Sequence, residues 1–261
     1  MLDSFRKLTP SRLRLGSNKG TANTREVLDF QLAHSRAKDA VHTQLQISHL
    51  KANFIGHTVI EVKSLASDRS EYLRRPDLGR KLDPAFYPLV PLGGPFHVAF
   101  VIGDGLSSAS VEKHAAPVVR AIIQQLEGWS VAPIFIAKQA RVAIADEIGE
   151  CLGALFTVMM IGERPGLSVS SSMGIYLTYS PRRGTLDSAR NCISNIHDNG
   201  GLSHKDAGDK LVWLMKCGRQ KQCTGINLKD EIPVALIEMD KEYKFYTMLT
   251  HKIMLNLNIQ Q

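Results

Sequence analysis

The chain has no C-x-x-C pair, and no histidine stands at ligand spacing beside Cys151, Cys192, Cys217 or Cys223. Neither a disulfide framework nor a cysteine-based zinc site is supported, and no metal ligand set can be read from the sequence. Long apolar runs are missing too: Ala154 to Ile161 is far short of the roughly 20 residues a membrane span needs, so no membrane segment is expected. The N-terminus, Met1-Leu-Asp-Ser-Phe-Arg-Lys7, places charges where a secretory signal has its apolar stretch. A cytoplasmic protein is the expectation. No complete G-x-G-x-x-G follows any strand pattern, which argues against a nicotinamide site. A recognition-helix pattern, a zinc finger and an aromatic RNA-binding motif are likewise missing, so nucleic acid is not expected as a partner.

What is present is ordinary globular composition, 44% hydrophobic and 22% charged over 261 residues. That length buries a real core and suggests one main domain with an N-terminal appendage. The net charge of +7 is uneven: residues 1–95 hold 15 Lys/Arg against 9 Asp/Glu, and the remainder 17 against 16. The basic third reads as a face for an acidic partner protein or for ligand phosphate. Residues 1–23 read as an arm without its own core. A helix is expected next, with Thr24 as a cap, Glu26 in its first turn and Val27, Leu28 and Leu32 as an apolar stripe. His49 to Val62 reads as a weak strand or connection, and Tyr72 to Arg80 as a polar turn in which Pro76 breaks any helix. Pro84 to Pro95 contains four prolines and two glycines and reads as a linker. The expected divisions are therefore 1–90, 91–228 and an extension at 229–261.

Beyond residue 90, strands alternate with helices. His97 to Ile102 is a continuous apolar run, and Val111, Ala115, Val118, Val119, Ile122 and Leu126 then recur at helical spacing until Gly128. Val131 to Ala137, Leu155 to Ile161 and Ile175 to Tyr179 read as further strands, with a short helix over Asp146 to Leu152. Ser203-His-Lys-Asp206 offers a capping-box-like start to a last helix. The expected fold class is α/β, a mainly parallel sheet flanked by helices, Rossmann-like, with a helical N-terminal appendage. Ligands of such sheets sit outside the carboxyl ends of the strands.

Three segments fall at that rim: the Gly-bearing turns Gly103-Asp104-Gly105 and Gly162-Glu163-Arg164, and Cys192-Ile193-Ser194, within a short strand-like piece (Asn191 to His197) next to Gly200-Gly201. The first permits close backbone approach at a helix start; a plain tight turn, with Asp104 bonding its own backbone, remains open beside it. In the second, a carboxylate and a guanidinium follow a strongly apolar strand, suited to an amide, a ribose hydroxyl or a phosphate. In the third, Cys192 reads as a packing contact, because His197 five residues away is no sign of an activating base. Ser107 with Asp104 and His114 does not form a nucleophile elbow. Together these segments suggest a grip on a large nucleotide-like cofactor.

The combination of Asp104-Gly-Leu-Ser107, Arg141-Val142-x-Ile144-x-Asp146-x-Ile148-Gly149-Glu150, Gly162-Glu-Arg-Pro-Gly166, Tyr179-Ser-Pro-Arg182 and Arg190-Asn-Cys-Ile-Ser-Asn-Ile196 resembles the small (light) subunit of ethanolamine ammonia-lyase. Asp29 to Asp39 and Arg75 to Arg80 extend that resemblance, which runs from about residue 12 to 228. It implies an adenosylcobalamin-dependent lyase that converts ethanolamine to acetaldehyde and ammonia by a radical route, active only with a large subunit that carries most catalytic groups. It implies cofactor contacts at Val142, Glu163 and Cys192, with Asp104 and Ser107 lining the nucleotide side, and no catalytic residue in this chain. Base-on binding of the cofactor fits the lack of a D-x-H-x-x-G segment. Association with a bacterial microcompartment is a further implication of the resemblance. A stand-alone α/β nucleotide-binding or regulatory protein without lyase activity is the alternative. The Gly16-Ser-Asn-Lys-Gly20 arm and the residues after about Asp230 depart from the family pattern.

Overall fold

The structure, a computed structural model, describes residues 24–230. The arm expected at 1–23 and the extension after residue 230 lie outside the described residues. Two strands without alternation form its centre. Strand β2 (Val98–Gly103) and strand β4 (Phe156–Gly162) are buried at every position, as strands covered on both faces must be. Around them are β1 (Val59–Lys63), β3 (Ile134–Lys138), β5 (Met173–Tyr179) and β6 (Arg190–Ile196), in the sheet order β1-β3-β2-β4-β5-β6. The first four neighbours pair in parallel, whereas β5 is antiparallel to both β4 and β6.

The fold is therefore α/β with a mixed sheet rather than a uniformly parallel one. Connection length explains the reversal. Ten residues separate β4 from β5, and ten more separate β5 from β6. A parallel crossover with its helix needs a dozen or more, so the chain turns back at each step. The segment around Cys192, read from the sequence as a strand-like piece of the rim, lies in the sheet as part of β6.

Helix α1 spans Thr24–His42, α2 Ile47–Ala52, α3 Arg69–Arg74, α4 Ser108–Ile123, α5 Ile144–Leu152 and α6 His204–Lys221. One face of the sheet is covered by α4 and α6: Phe100, Ile102, Val119, Ile122, Leu211 and Met215 belong to one buried cluster. Fully burying each such side chain contributes about 1.5–3 kcal/mol. Nine-residue α5 packs Ile148 and Leu152 on the other face, with Val101, Phe135 and Met159. It stops where Gly153 turns left-handed at φ 63°, a conformation with little steric cost for glycine. As its capping-box-like start suggests, α6 begins with the Ser203 hydroxyl accepting from the Asp206 N–H at 3.1 Å.

The region before residue 90 is built into the same sheet and core. Strand β1 pairs with β3, and Leu45, Ile47, Leu50 and Phe54 join the cluster beneath α4 and α6. Pro84 to Pro95, read as a linker, folds as a 3-10 turn over Pro84–Leu89, and the Gly93 and Gly94 N–H groups donate to the carbonyls of Cys151 and Leu152. Tyr72, read as part of a polar turn, sits in α3 and is fully buried. Its hydroxyl donates to the Ala140 carbonyl at 3.0 Å, and the Arg69 and Arg141 guanidinium groups lie over its ring at 4.9 and 4.5 Å. Helix α3 ends at Arg74: Arg75, at φ −123° and ψ 74°, has left the helical region before Pro76, since a following proline disfavours helical backbone.

Helix α1 is different. It buries no residue, and its expected stripe is exposed: Val27 by 41%, Leu28 by 58% and Leu32 by 51%. Among the described residues no helix is long and apolar enough to cross a membrane.

Candidate functional site

The carboxyl ends of β2, β3 and β4 meet at one edge of the sheet, and buried Asp104 joins them. Its carboxylate accepts from the backbone N–H of Gln139 at 3.0 Å and of Ala140 at 2.9 Å, and from Arg69 Nη1 at 3.3 Å. Burial pushes its pKa up, and the two N–H donors and Arg69 oppose the rise. The clamp holds Gln139 at φ 55°, a left-handed conformation in which L residues are strained. Ser107 is fully buried, and its hydroxyl donates to the Ser170 carbonyl at 3.1 Å. The Leu106 N–H donates to the Gly162 carbonyl at 2.9 Å. Asp104 and Ser107 are thus engaged within the chain, where they fasten the turn after β2 to the loop after β4.

Glu163 lies just beyond that fastening and is half-buried. Its carboxylate accepts from Ser172 Oγ at 2.5 Å and from the Asn195 N–H at 3.4 Å. It lies against Gly174, where an added Cβ would stand 2.9 Å from Glu163 Oε1. The glycine gives the carboxylate room to lie flat along β5. Tyr176, next on that face, packs against the α5-side cluster, and Cys192 is its register partner on β6. Side chains of such partners share one face. Among the described residues no helix covers this part of the sheet: Tyr176 is half-buried, and Cys192 and Ser194 are exposed.

Electrostatics gives the patch a defined protonation state. Burial, Cys192 and Glu163 raise the Tyr176 pKa to about 12. Surrounding protein and the Glu163 carboxylate push the Cys192 thiol up, while Tyr176 opposes them. At neutral pH both hydroxyl and thiol keep their protons, so Cys192 is a packing group rather than an activated nucleophile. The tyrosine yields a test. Its folded pKa is raised above the free value of 10.0, so its contribution to stability is complete below pH 10 and is lost as pH rises through about 12. Urea unfolding followed from pH 9 to 12 is expected to show a shallower alkaline decline for Tyr176→Phe than for the parent chain. Identical slopes would remove Tyr176 from this account.

Val142 is half-buried on the turn between β3 and α5, next to Arg141, whose buried Nε has no hydrogen-bond partner among the described residues. Strand β3 lies four places from β6 in the sheet, about 19 Å at strand spacing. The structure thus brings Glu163 and Cys192 together through Tyr176 and Asn195, sets Val142 across the sheet from them, and turns Asp104 and Ser107 inward. Arg164 is exposed at the mouth of a groove of about 580 Å³ that Glu163, Ser172, Asn195 and His197 also line. Ser172, Gly174, Tyr176 and Asn195 escaped the sequence reading. The alternation of β5 could have flagged Tyr176; the other three depend on how β4, β5 and β6 pair.

The arrangement offers a flat apolar and small-residue face, one anchored carboxylate and a nearby cation. Such a surface is suited to orienting a large ligand, and among the described residues no nucleophile–base pair is assembled on it. Comparison with known proteins agrees with the motif resemblance. The family model described as ethanolamine ammonia-lyase light chain (EutC) matches residues 1–229. Ethanolamine ammonia-lyase small subunit of Ralstonia nicotianae is 44% identical over 244 residues, covering 90% of each chain. That of Azotobacter vinelandii is 44% identical over 243 residues, again 90% of each. That of Bradyrhizobium diazoefficiens is 44% identical over 234 residues, 87% of this chain and 89% of its own.

Proposed function

Since the chain belongs to the ethanolamine ammonia-lyase light-chain family, we propose that it is the small subunit of an adenosylcobalamin-dependent ethanolamine ammonia-lyase, holding the cofactor against a catalytic large subunit. The observation that carries this reading is the uncovered sheet face of Glu163, Gly174, Tyr176 and Cys192. Its residues fit a corrinoid: a broad ring edged with amides needs a flat surface and carboxylate acceptors, and Gly174 and Cys192 leave the surface low while Glu163 supplies the acceptor.

When bound, the cofactor's weak cobalt–carbon bond supplies the radical, and the protein supplies binding and orientation. Glu163, kept in place by Ser172 and Asn195, accepts from a ring amide. Cys192 and Val142 would give the cofactor van der Waals contact. Asp104 and Ser107 act on the nucleotide side through the loops they fasten. The base-on form of the cofactor, expected from the lack of a D-x-H-x-x-G segment, belongs to the same reading. The parallel β1-β3-β2-β4 portion, with helices on both faces, is the Rossmann-like part of this reading. Exposed Val27, Leu28 and Leu32 on α1 form a helical appendage suited to cover by the large subunit. Microcompartment association belongs to the same reading.

Co-expression with a family large subunit tests it. The two chains are expected to co-purify and to convert ethanolamine to acetaldehyde only when the cofactor is added. Glu163→Ala removes a charge-assisted hydrogen bond of about 1.5–3 kcal/mol, hence a roughly 10–100-fold rise in the cofactor dissociation constant with little change in the ethanolamine KM. Equal losses for cofactor and substrate would overturn the role of Glu163. A large subunit equally active without this chain would overturn the function.

A further inference from the structure

Behind the groove, on the α4–α6 side of the sheet, three donor side chains from distant parts of the sequence converge. His114 projects from α4, His204 is the first residue of α6, and Asp198 belongs to the short connection between β6 and α6. His114 is 1% exposed. Its Nδ1 lies 2.7 Å from Nε2 of His204, and one ligand atom from each of His114, His204 and Asp198 lies within 4.8 Å of the other two. Nothing in the proposed cofactor face uses them.

The geometry points to a binding site for a divalent transition ion of the zinc class, ligated by His114 Nδ1, His204 Nε2 and the Asp198 carboxylate. Two imidazole nitrogens and one carboxylate suit zinc, cobalt or nickel and poorly suit magnesium or calcium, which take oxygen donors. Tetrahedral zinc, with bonds of about 2.0–2.2 Å, sets its ligand atoms roughly 3.3 Å apart. The present separations, from 2.7 Å between the nitrogens up to 4.8 Å at most, bracket that value, so small side-chain rotations form the site. Metal-free, the two imidazoles share one hydrogen, with one nitrogen donating and the other accepting; an ion between them uses both lone pairs. The scaffold is rigid where it must be, because α4 and α6 both pack on the core through Val111, Ala115, Leu211 and Met215. The third ligand comes on a constrained loop, where the Leu202 N–H donates to the Asn195 carbonyl at 2.8 Å. Lys113 pairs with Asp198 and is the group an ion displaces. A cleft of about 210 Å³ beside His114, Asp198 and Lys113 leaves room for a water as fourth ligand. The ion would join α4, α6 and the connection after β6, which also borders the Glu163 groove through His197 and Asn199.

The test uses the full chain, freed of metal by chelator and titrated with zinc against a chromophoric competitor at neutral pH. One equivalent is expected to bind saturably and to raise the thermal midpoint. His204→Gln and Asp198→Asn, both outside the core, are each expected to weaken binding at least tenfold while keeping the parent circular dichroism spectrum. Cobalt(II) in place of zinc is expected to give d–d bands without a thiolate charge-transfer band, which separates this site from the four cysteines. No saturable zinc binding by the parent chain, unchanged affinity in folded His204→Gln, or a thiolate band would each overturn the site.

Discussion

Asp146→Asn is expected to destabilise the chain by about 3–5 kcal/mol, the usual cost of stripping one partner from a buried ion pair. Asp146 and Arg190 are each 1% exposed in their side chains, and the contact is bidentate, with Nη1–Oδ1 at 2.6 Å and Nη2–Oδ2 at 2.7 Å. The remaining guanidinium hydrogens reach Thr178 Oγ1, the Thr185 carbonyl and Asp187. Burial raises the Asp146 carboxyl and the Arg190 fork opposes the rise; the same carboxylate raises Arg190. Asparagine keeps the shape and leaves the buried guanidinium only the largely solvent-exposed Asp187 carboxylate, 3.2 Å from its Nε, as counter-charge. The joint replacement Asp146→Leu with Arg190→Met is expected to recover most of the loss, since a packed apolar pair avoids both desolvation costs. Urea unfolding of the single and double variants measures this. A single-variant loss below about 1 kcal/mol would show that the pair is not dry. Its position matters for the proposed site: it ties α5, just after Val142, to the strand residue two before Cys192.

The second large effect is expected at Gly105. Its φ of +55° already disfavours a side chain, and an added Cβ would run into the Gly162 carbonyl oxygen and stand 2.6 Å from Ile161 Cγ1. A backbone oxygen cannot rotate away as a side chain can. Gly105→Ala therefore combines left-handed strain with overpacking, about 3 kcal/mol or more. In a chain of this size that lowers the thermal midpoint by roughly 6–12 °C. Gly200→Ala is the control: φ is +80° there as well, but no atom lies within 4 Å of the added carbon, so only the strain of about 1 kcal/mol remains. Scanning calorimetry distinguishes them, and similar midpoints for the two variants would mean that the close approach of the Gly105 and Gly162 turns is unimportant. Because Glu163 follows Gly162 directly, Gly105→Ala should also weaken cofactor binding in the assembled enzyme under the proposed function.

The parts legible in the sequence were those set by local physics. The unbroken apolar runs of β2 and β4, the helical spacing from Val111 to Ile122 and the Ser203 cap each stand where their side chains alone require. The reversal at β5 was not legible, because Met173 to Tyr179 carries the same apolar signal whichever way the strand runs. Tyr72 looked like a turn residue since its neighbours are charged; burial came from Arg69 and Arg141 enclosing its ring, a contact across 69 residues. The α1 stripe was legible as a stripe, but sequence periodicity cannot tell whether the matching surface belongs to this chain. At the rim, the charge of Glu163 after an apolar strand and the polar surroundings of Cys192 are visible in the sequence. The inward turn of Asp104 and Ser107 depends on where residues 139, 140 and 170 arrive, which no local pattern records.

The two ten-residue returns on either side of β5 carry a consequence for how such a chain can change. A surface loop tolerates lengthening at little thermodynamic cost, about 0.6 kcal/mol for each doubling. An insertion between β5 and β6 long enough to make a helix would therefore leave a stable protein, with that helix lying over Tyr176 and Cys192 like a shutter. Brevity at these two connections keeps the surface accessible, and the constraint would appear as a limit on permitted chain length rather than on any residue's identity.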